Sequence, residues 1–345
     1  MSKTKIKLAG STNVGLVRGN NEDNFVFCRD LAVSEWNIPQ VDDAIDLGQY
    51  GALLVVADGM GGANAGEVAS AIAVDTVKCA FKSENIIPVI DSDEKILDFM
   101  VDVVKEADLN ILNKSKDDSS TQGMGTTIVM AWVIGQKAYV CWCGDSRCYV
   151  FNPNLGLTRL SKDHSYVQEL VDKGELKAEN AHDHPYSNII TRCLGDAENR
   201  AVPDARIHSL HSGDILMLCS DGLCGLCYDD EIMNVMAEHK DNVDECKDEL
   251  IAAALAAGGH DNVTVVVSAV EVELSDEEKK EADSLTGTLP IKKKGCWHTL
   301  FFITVGALLL IVVVGCYFFF FNRLVFENVI SYMDTMWVKL KSFIP

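Results

Sequence analysis

Positive charge is scarce in this chain: 30 lysines and arginines stand against 51 aspartates and glutamates, giving a formal net charge of −21 over 345 residues. Proteins that bind nucleic acid need basic patches to meet the phosphate backbone, so the deficit argues against nucleic acid as a partner. The chain also has neither a Walker phosphate loop nor a G-x-G-x-x-G sequence. Their absence argues against the common nucleotide-binding classes.

Signals for export and for structural zinc are missing as well. Residues 1–10 contain three lysines and no apolar core of the kind that a secretory signal has. Cys224 and Cys227 form a C-x-x-C, but no second pair follows at the spacing of a zinc site. We therefore expect the twelve cysteines to be reduced cytosolic thiols.

Five acidic stretches that follow apolar runs are what the chain does contain. They lie at residues 18–23, 55–62, 143–147, 218–222 and 259–264. An apolar run that ends in aspartate is typical of a buried strand with a carboxylate at its end, although Asp-Gly and Asp-Asn are also ordinary turn dipeptides. Carboxylates gathered in one place repel unless cations neutralise them, and oxygen ligands suit magnesium, manganese or calcium better than zinc. The pattern predicts a carboxylate-lined metal centre.

The carboxyl-terminal part has a different composition. Residues 299–321 are uncharged and almost wholly apolar, and as a helix they would span about 34 Å, enough for a bilayer core of about 30 Å. We predict a transmembrane helix here, the alternative being a buried core helix. Lysines at 292–294 precede the segment, and the positive-inside rule then places the amino-terminal part in the cytoplasm, although Arg323, Lys339 and Lys341 weaken the asymmetry.

The chain thus divides into four regions. Residues 1–273 form a folded domain, and residues 274–298 a charged, flexible linker. Residues 299–321 span the membrane once. The tail at 322–345 is either a short amphipathic helix on the opposite surface or a disordered stub.

Within residues 1–273, strands and helices are predicted in mixed order. Apolar runs joined by short turns, as at Gly135-Gln136, favour antiparallel pairing, and long helices between groups of strands favour an α+β fold. Strands are predicted at residues 51–57, 126–134, 137–142, 147–151, 214–219 and 263–270. Helices are predicted at residues 65–81, 94–113, 167–173 and 241–257.

Seven motifs occur in order from Asn13 to Thr264: N-V-G-x-V-R-x-x-N-E-D, A-D-G-M-G-G, G-x-G-T-T, G-D-S-R, L-T-R-L-S-x-D-H-S, S-D-G-L and H-D-N-V-T. Together they resemble the metal-dependent PP2C-type (PPM) protein serine/threonine phosphatases, especially the bacterial branch. The resemblance covers nearly all of residues 1–273. It implies a four-layer αββα sandwich, in which two antiparallel sheets flanked by helices hold two divalent cations, manganese or magnesium, at the sheet ends.

The resemblance also implies a ligand set for these cations. Asp58 matches the residue that bridges both metals, and the carbonyl of Gly59 joins one of them. Asp221 and Asp261 match ligands of the other metal. Asp145 resembles a ligand of a third, weaker site.

Three further residues match the family near the metals. Glu22 and Asp23 match an acidic pair that reaches metal mainly through water, and Arg18 matches the clamp that grips the substrate phosphate. A guanidinium can hold two phosphoryl oxygens in planar geometry, which lysine cannot do. The implied reaction is in-line attack on phosphorus by a hydroxide between the metals, with Asp58 and Arg18 as the catalytic residues.

The sequence departs from the family pattern at two positions. Met60 stands where many members have a histidine that is a candidate general acid, and methionine cannot donate a proton. His164 is a tempting substitute, although we expect it to be structural. Gly225 stands where the family often has an aspartate, so a third metal would lose one ligand. Residues 165–199 resemble the flap beside the family's active site; a structural cap on the sheet is the alternative.

The leading hypothesis is a single-pass membrane phosphatase that removes phosphate from phosphoserine and phosphothreonine in proteins and opposes serine/threonine kinases. Its partners would be phosphorylated proteins, those kinases and the membrane. One alternative is a catalytically silent module that binds phosphoproteins. Another is an esterase for small-molecule or lipid phosphates at the membrane.

Overall fold

The computed structural model describes residues 3–37, 44–61 and 65–273. Thirteen strands occur among them: β1 (Lys3–Asn13), β2 (Asn24–Cys28), β3 (Ile45–Asp46), β4 (Ala52–Ala57), β5 (Gly59–Met60), β6 (Gly125–Thr126), β7 (Ile128–Ile134), β8 (Lys137–Cys143), β9 (Arg147–Asn152), β10 (Gly156–Arg159), β11 (Asp204–Ser209), β12 (Ile215–Cys219) and β13 (Val263–Glu273). One sheet has the order β10-β9-β12-β13-β1-β3 and the other β11-β8-β7-β4-β2, while β5 and β6 form a separate ribbon. The strand pairs in both sheets are antiparallel.

Seven α-helices occur in the part of the chain that the structure describes. They are α1 (Gly66–Ala80), α2 (Ser83–Ile86), α3 (Asp93–Asp117), α4 (Tyr166–Asp172), α5 (Asp221–Cys224), α6 (Asp229–Glu238) and α7 (Val243–Ala256). The outer face of one sheet is covered by α1 and α3, and that of the other by α6 and α7. Three apolar cores separate four layers. The first lies between α1, α3 and the β4-β7-β8 sheet, the second between the two sheets, and the third between the β12-β13 sheet and α6 with α7. The predicted α+β fold with two antiparallel sheets is confirmed.

Strands with both faces covered are apolar along their whole length. All six residues of β4 are buried, because its two faces pack into different cores. Such continuous runs were recognised in the sequence, and each of the six predicted strands has a counterpart. The four predicted helices correspond to α1, α3, α4 and α7, with ends that differ by at most a few residues.

The structure contains elements that the prediction lacked. They include β1, β2, β11 and α6. β1 begins with alternating lysines, and only Ile6 and Leu8 of its first six residues are fully buried apolar side chains. β11 carries no buried residue, since it is an edge strand.

Several predictions fall outside the described residues. The linker at 274–298, the transmembrane helix at 299–321 and the tail at 322–345 all do so. Among the helices formed within residues 3–37, 44–61 and 65–273, none has the length and apolar character to cross a bilayer. All ten cysteines in this part of the chain are free thiols.

Candidate active site

The acidic stretches of the sequence meet at one end of the sandwich. Asp58 follows β4, Asp221 follows β12 and starts α5, and Asp261 lies two residues before β13. Asp145 lies in the turn between β8 and β9. Asp23 precedes β2, whose first residue is paired with the last residue of β4, so Asp23 and Asp58 leave neighbouring strands at the same point.

The Asp23 carboxylate is buried, and only one of its two oxygens accepts hydrogen bonds from the described residues. Its Oδ2 accepts hydrogen bonds from Ser220 Oγ at 2.7 Å and from Thr264 Oγ1 at 2.6 Å. Its Oδ1 is buried and has no hydrogen-bond partner among the described residues. Burial raises the pKa of the Asp23 carboxyl to about 7, against the lowering effect of these two hydroxyls, and the Asp221 and Asp261 carboxylates raise it further. A buried oxygen of this kind is costly unless a ligand meets it.

Asp58 and Asp221 face each other directly. Burial raises the pKa of Asp58 well above its ordinary value, and the nearby carboxylates of Asp23, Asp221 and Asp145 raise it further. Burial, followed by the charge of Asp261, also raises the pKa of Asp221. Carboxyl groups this close to one another favour either protonation or a bound cation.

The acidic cluster extends to Asp145 and Glu22. Burial, followed by the Asp221 and Asp163 charges, raises the pKa of Asp145 well above its ordinary value. Burial also raises the pKa of Glu22. Among the described residues, no three acidic, histidine or cysteine side chains already form a complete metal cage. The donor set nevertheless fits hard divalent cations, because it offers carboxylate oxygens, an orphaned buried oxygen and a surplus of negative charge that cations would relieve.

Glycines allow the backbone segments of the cluster to approach closely. A Cβ on Gly59 would lie 2.4 Å from the Glu22 carbonyl oxygen and 2.3 Å from the Gly66 carbonyl oxygen. A Cβ on Gly66 would lie 2.9 Å from Glu22 Oε2. The Ser70 hydroxyl, one turn into α1, donates to the Glu22 carbonyl at 2.6 Å. The segment carrying Asp58 and Gly59 is thereby held against Glu22.

Arg18 is the predicted phosphate clamp, and it lies at the mouth of the cluster. Its Nη2 donates to Asp261 Oδ2 at 2.7 Å, and its side chain is 52% exposed. This hydrogen bond, then the charge of Asp261, raises the pKa of Arg18 above its usual value. Arg18 is therefore a permanently charged group beside the carboxylates, and about half of its side chain is accessible to solvent.

The backbone around Asp58 and Asp145 is linked by hydroxyl groups. The Asp58 amide donates to Thr127 Oγ1 at 3.2 Å, and Thr127 Oγ1 is 2.7 Å from Ser146 Oγ. Gly225, at the position where a third-metal ligand was expected, donates its amide to the Asp221 carbonyl at 2.6 Å and contributes no carboxylate. Asp145 is thus near the cluster, but the glycine supplies no second ligand for a third ion.

His164 is held by partners outside the cluster. Its Nδ1 accepts from the Gly144 amide at 3.1 Å, so this nitrogen carries no proton. Its Nε2 lies 3.1 Å from Asp204 Oδ2, and burial lowers the His164 pKa. The neutral ring with a proton on Nε2 satisfies both contacts. The geometry accounts for His164 as a structural link between the β8-β9 turn and β11.

A cleft of about 710 Å³ extends from the carboxylates. Its lining includes Asp145, Asp221, Asp261, Arg147, His182 and Asn188. The last two belong to the segment 165–199, so this segment lies beside the site, as the flap hypothesis requires. Tyr228 Oη donates to Asp183 Oδ1 at 2.8 Å, and the rings of His182 and Tyr228 stack with centroids 4.1 Å apart. These contacts tie the segment to α6.

Three polar residues that position the acidic ones are not among the site residues predicted from the sequence. Ser220, Asn262 and Thr264 each lie within the recognised motifs, next to or near a predicted ligand, and each contacts the acidic pair or its loop. Their place in the motifs was the available signal. Their roles depend on contacts with Asp23 and Glu22 about 200 residues or more away, which no local pattern indicates.

Comparison with known proteins gives a consistent result. The family model for protein phosphatase 2C matches residues 38–261. The serine/threonine phosphatase stp of Listeria monocytogenes serotype 4b is 34% identical over 215 residues, which cover 62% of this chain and 83% of that protein.

Solved structures agree with the family match. The serine/threonine phosphatase of S. agalactiae has a TM-score of 0.66 and 30% identity, covering 77% of this chain and 100% of that one. The catalytic domain of the serine/threonine phosphatase PstP, solved with two manganese ions, has a TM-score of 0.60 and 30% identity, covering 78% of this chain and 99% of that one. With its two antiparallel sheets and its acidic cluster at their ends, this chain belongs to the protein phosphatase 2C family and is a protein serine/threonine phosphatase.

Proposed function

We propose that the chain hydrolyses phosphoserine and phosphothreonine in proteins with the help of two divalent cations, manganese or magnesium. Asp58, the Gly59 carbonyl, Asp221 and Asp261 would hold them. The observation that carries this proposal is the convergence of partly buried carboxylates with raised pKa values beside a half-exposed arginine. Repulsion among these groups would be relieved by cations and is otherwise relieved by protons.

The chain's own residues divide the work. Bound at these carboxylates, the two ions would supply a water acidic enough to act as the nucleophile near neutral pH. Arg18 would direct its planar donors to the phosphoryl oxygens and stabilise the charge that they carry in the transition state. Asp23, fixed through Oδ2 by Ser220 and Thr264, offers Oδ1 to the ions or their waters. Glu22 would act similarly. Asp145 would serve a third, weaker site.

Neither Met60 nor His164 can protonate the leaving oxygen of serine or threonine. Met60 has no proton to give. His164 directs its Nε2 toward Asp204, away from the carboxylates. Proton donation to the leaving group therefore falls to another group of the site.

The test compares three kinds of substrate on one protein. Purified full-length chain in detergent, supplied with manganese, should release phosphate from phosphoserine and phosphothreonine peptides much faster than from a phosphotyrosine peptide or small esters. Excess EDTA should stop release, and manganese should restore it. Binding of phosphopeptide without turnover would support the silent module instead. Preference for small or lipid esters would support the esterase.

We further propose that residues 299–321 anchor the enzyme in a membrane with the catalytic domain in the cytoplasm, where it opposes serine/threonine kinases. The support is the 23-residue apolar segment and the lysines at 292–294. The full chain should then remain with membranes in carbonate, whereas a chain ending at Ser284 should be soluble and equally active on peptides. Protease outside sealed cells should spare residues 1–290. Digestion of the catalytic domain there would contradict the cytoplasmic placement.

A further inference from the structure

The loop that carries Arg18 is exposed over most of its length, although the Leu16 amide donates to the Gly259 carbonyl at 2.7 Å. It connects β1 to β2, and residues 16–20 are all exposed. Leu16 and Val17, just before the arginine, are 67% and 66% exposed. A Cβ on Gly19 would meet no atom within 4 Å. Yet Arg18 must lie at one distance from the carboxylates to grip a phosphoryl group, so something outside the loop has to hold it.

The side chain of Asn262 supplies that support. It is 4% exposed, and it contacts the loop on both sides of Arg18. Its Nδ2 donates to the carbonyl oxygens of Val14 and Asn20, both at 2.9 Å. Its Oδ1 accepts from the Glu22 amide at 2.8 Å. Both amide protons and the amide oxygen are therefore used on one loop.

The backbone of the same residue contacts the segments of two predicted ligands. The Asn262 amide donates to Asp261 Oδ1 at 2.8 Å. Its carbonyl lies in close contact with α5, since a Cβ on Gly222 would be 1.9 Å from that oxygen. Asp261 in turn accepts from Arg18 at 2.7 Å. Asn262 thus joins the arginine loop to the turns that carry Asp221 and Asp261.

We propose that Asn262 is a positioning residue that fixes Arg18 relative to Asp221 and Asp261, and so sets where the substrate phosphoryl group lies. The proposal rests on the proposed role of Arg18 as the phosphate clamp. Displacement of a positioned group by about 1 Å can cost about 100-fold in rate. An amide is needed at position 262, because the contacts demand two donors and one acceptor on a planar group.

A purely structural role predicts a different result from a positioning role. Asn152 provides the control, because it is also buried and uses both ends of its side-chain amide: Nδ2 donates to Asp214 Oδ1 at 2.6 Å, and Oδ1 accepts from the Asn154 amide. It ends β9, whereas Arg147 at the other end of that strand lines the cleft. Loss of either asparagine side chain strands buried polar groups and should lower stability to a similar degree.

The first experiment is a double-mutant cycle between Asn262 and Arg18. With a phosphothreonine peptide and saturating manganese, Asn262→Ala should lower kcat/KM by about 10- to 100-fold. Arg18→Ala should then cost much less in the Asn262→Ala protein than in the wild type. In the Asn152→Ala protein, Arg18→Ala should retain its full cost. Equal costs of Arg18→Ala in all three backgrounds would overturn the proposal. If Asn262→Ala does not fold, Asn262→Asp keeps the shape and the Oδ1 acceptor while removing both donors.

The second experiment does not depend on catalysis. Hydrogen exchange at the amides of Leu16 and Glu22 should become faster in the Asn262→Ala protein, and it should stay unchanged in Asn152→Ala. Unchanged protection of the Glu22 amide in the first variant would refute the anchoring of the loop. If the wild type hydrolyses no phosphopeptide, the proposed function fails, whereas the exchange result still decides whether Asn262 holds this loop.

Discussion

Two aspartate sites in this domain, a fully buried one at Asp108 and a partly buried one at Asp58, differ in how their negative charge is balanced. Asp108, on α3, is 1% exposed, and its Oδ2 receives Nη2 and Nε of Arg200 at 2.6 and 2.7 Å. The Gly195 amide donates to its other oxygen at 2.8 Å. Asp58 instead faces other carboxylates, and its pKa is raised well above the ordinary value. A buried carboxylate that brings its own cation is structural, whereas a group of carboxylates without one is built for a cation from solution.

The largest expected effect is on turnover, and it follows from substitutions at Asp58 and Asp221. Asp58→Asn or Asp221→Asn should reduce phosphopeptide turnover by at least about 1,000-fold, because several kcal/mol of transition-state charge stabilisation depends on the bound ions. The fold should survive, since each change removes repulsion. Turnover at a series of manganese concentrations and circular dichroism would measure both. Full activity of Asp58→Asn in excess chelator would contradict the view that the carboxylates around Asp58 bind cations from solution.

At the Asp108–Arg200 pair, a substitution should lower stability and leave metal binding unchanged. Arg200→Ala leaves the Asp108 carboxylate buried with only backbone partners, so the free energy of unfolding should fall by about 3 kcal/mol in chemical denaturation. Manganese affinity should not change. Lys137→Ala is the matched control. Lys137 pairs with Asp93 at 2.6 Å, but that carboxylate is half exposed, so the loss of its cation should lower the free energy of unfolding much less. If the two variants lost the same free energy of unfolding, burial of the carboxylate would not determine the cost of losing its cation.

The Arg18–Asp261 pair is intermediate between the two sites. It is an ion pair, as at Asp108, but it is half exposed and belongs to the acidic cluster. We expect Arg18→Ala to lower kcat/KM for a phosphopeptide by about 30-fold, equivalent to about 2 kcal/mol. Both KM and kcat should change, because in the proposed role Arg18 would contact the substrate in the ground state and in the transition state. Stability should change little. Steady-state kinetics would measure this, and unchanged kinetics would remove Arg18 from the site.

The smallest effect is a pH dependence of stability. The pKa of Asp23 is raised to about 7, so its contribution is fully present below its unfolded pKa near 4 and is lost as pH rises through about 7. The melting temperature of chelator-treated protein should therefore fall by about 5 °C between pH 5 and pH 8. Saturating manganese should flatten this fall, whereas Asp23→Asn should only reduce it, because Asp58, Asp145 and Asp221 also have raised pKa values. An equally steep fall in Asp23→Asn would assign it to other groups.

Parts of the fold and site were predictable for reasons specific to particular residues. β4 and β7 were found because both faces of each strand are covered, which makes the run continuously apolar. The positions of Asp58 and Asp221 followed from the apolar runs that they end. β11 was missed because an exposed edge strand has no apolar pattern, and β1 because its lysines mask the alternation of Ile6 and Leu8.

Residues that act through distant partners were not predictable. Asn262 is an ordinary turn residue in the sequence, and its contacts with Val14, Asn20 and Glu22 exist only once β1 and β13 are paired. The same is true of Thr264, which bonds Thr12 at 2.7 Å across that strand pair and donates to Asp23. The charged residues of the site could therefore be identified from the motifs, whereas the polar residues that hold them in place could be identified only from the structure.

The pairing of β1 with β13 has a consequence for folding. Lys3 to Asn13 pair in register with Glu273 to Val263, so the first and last strands of the domain lie side by side within one sheet. During synthesis β13 emerges last, and until then β12 and β1 each present an open edge, which invites pairing with other chains. Because Asp261 and Asn262 lead directly into that strand, the nascent domain can complete its acidic cluster only after β13 has emerged and paired.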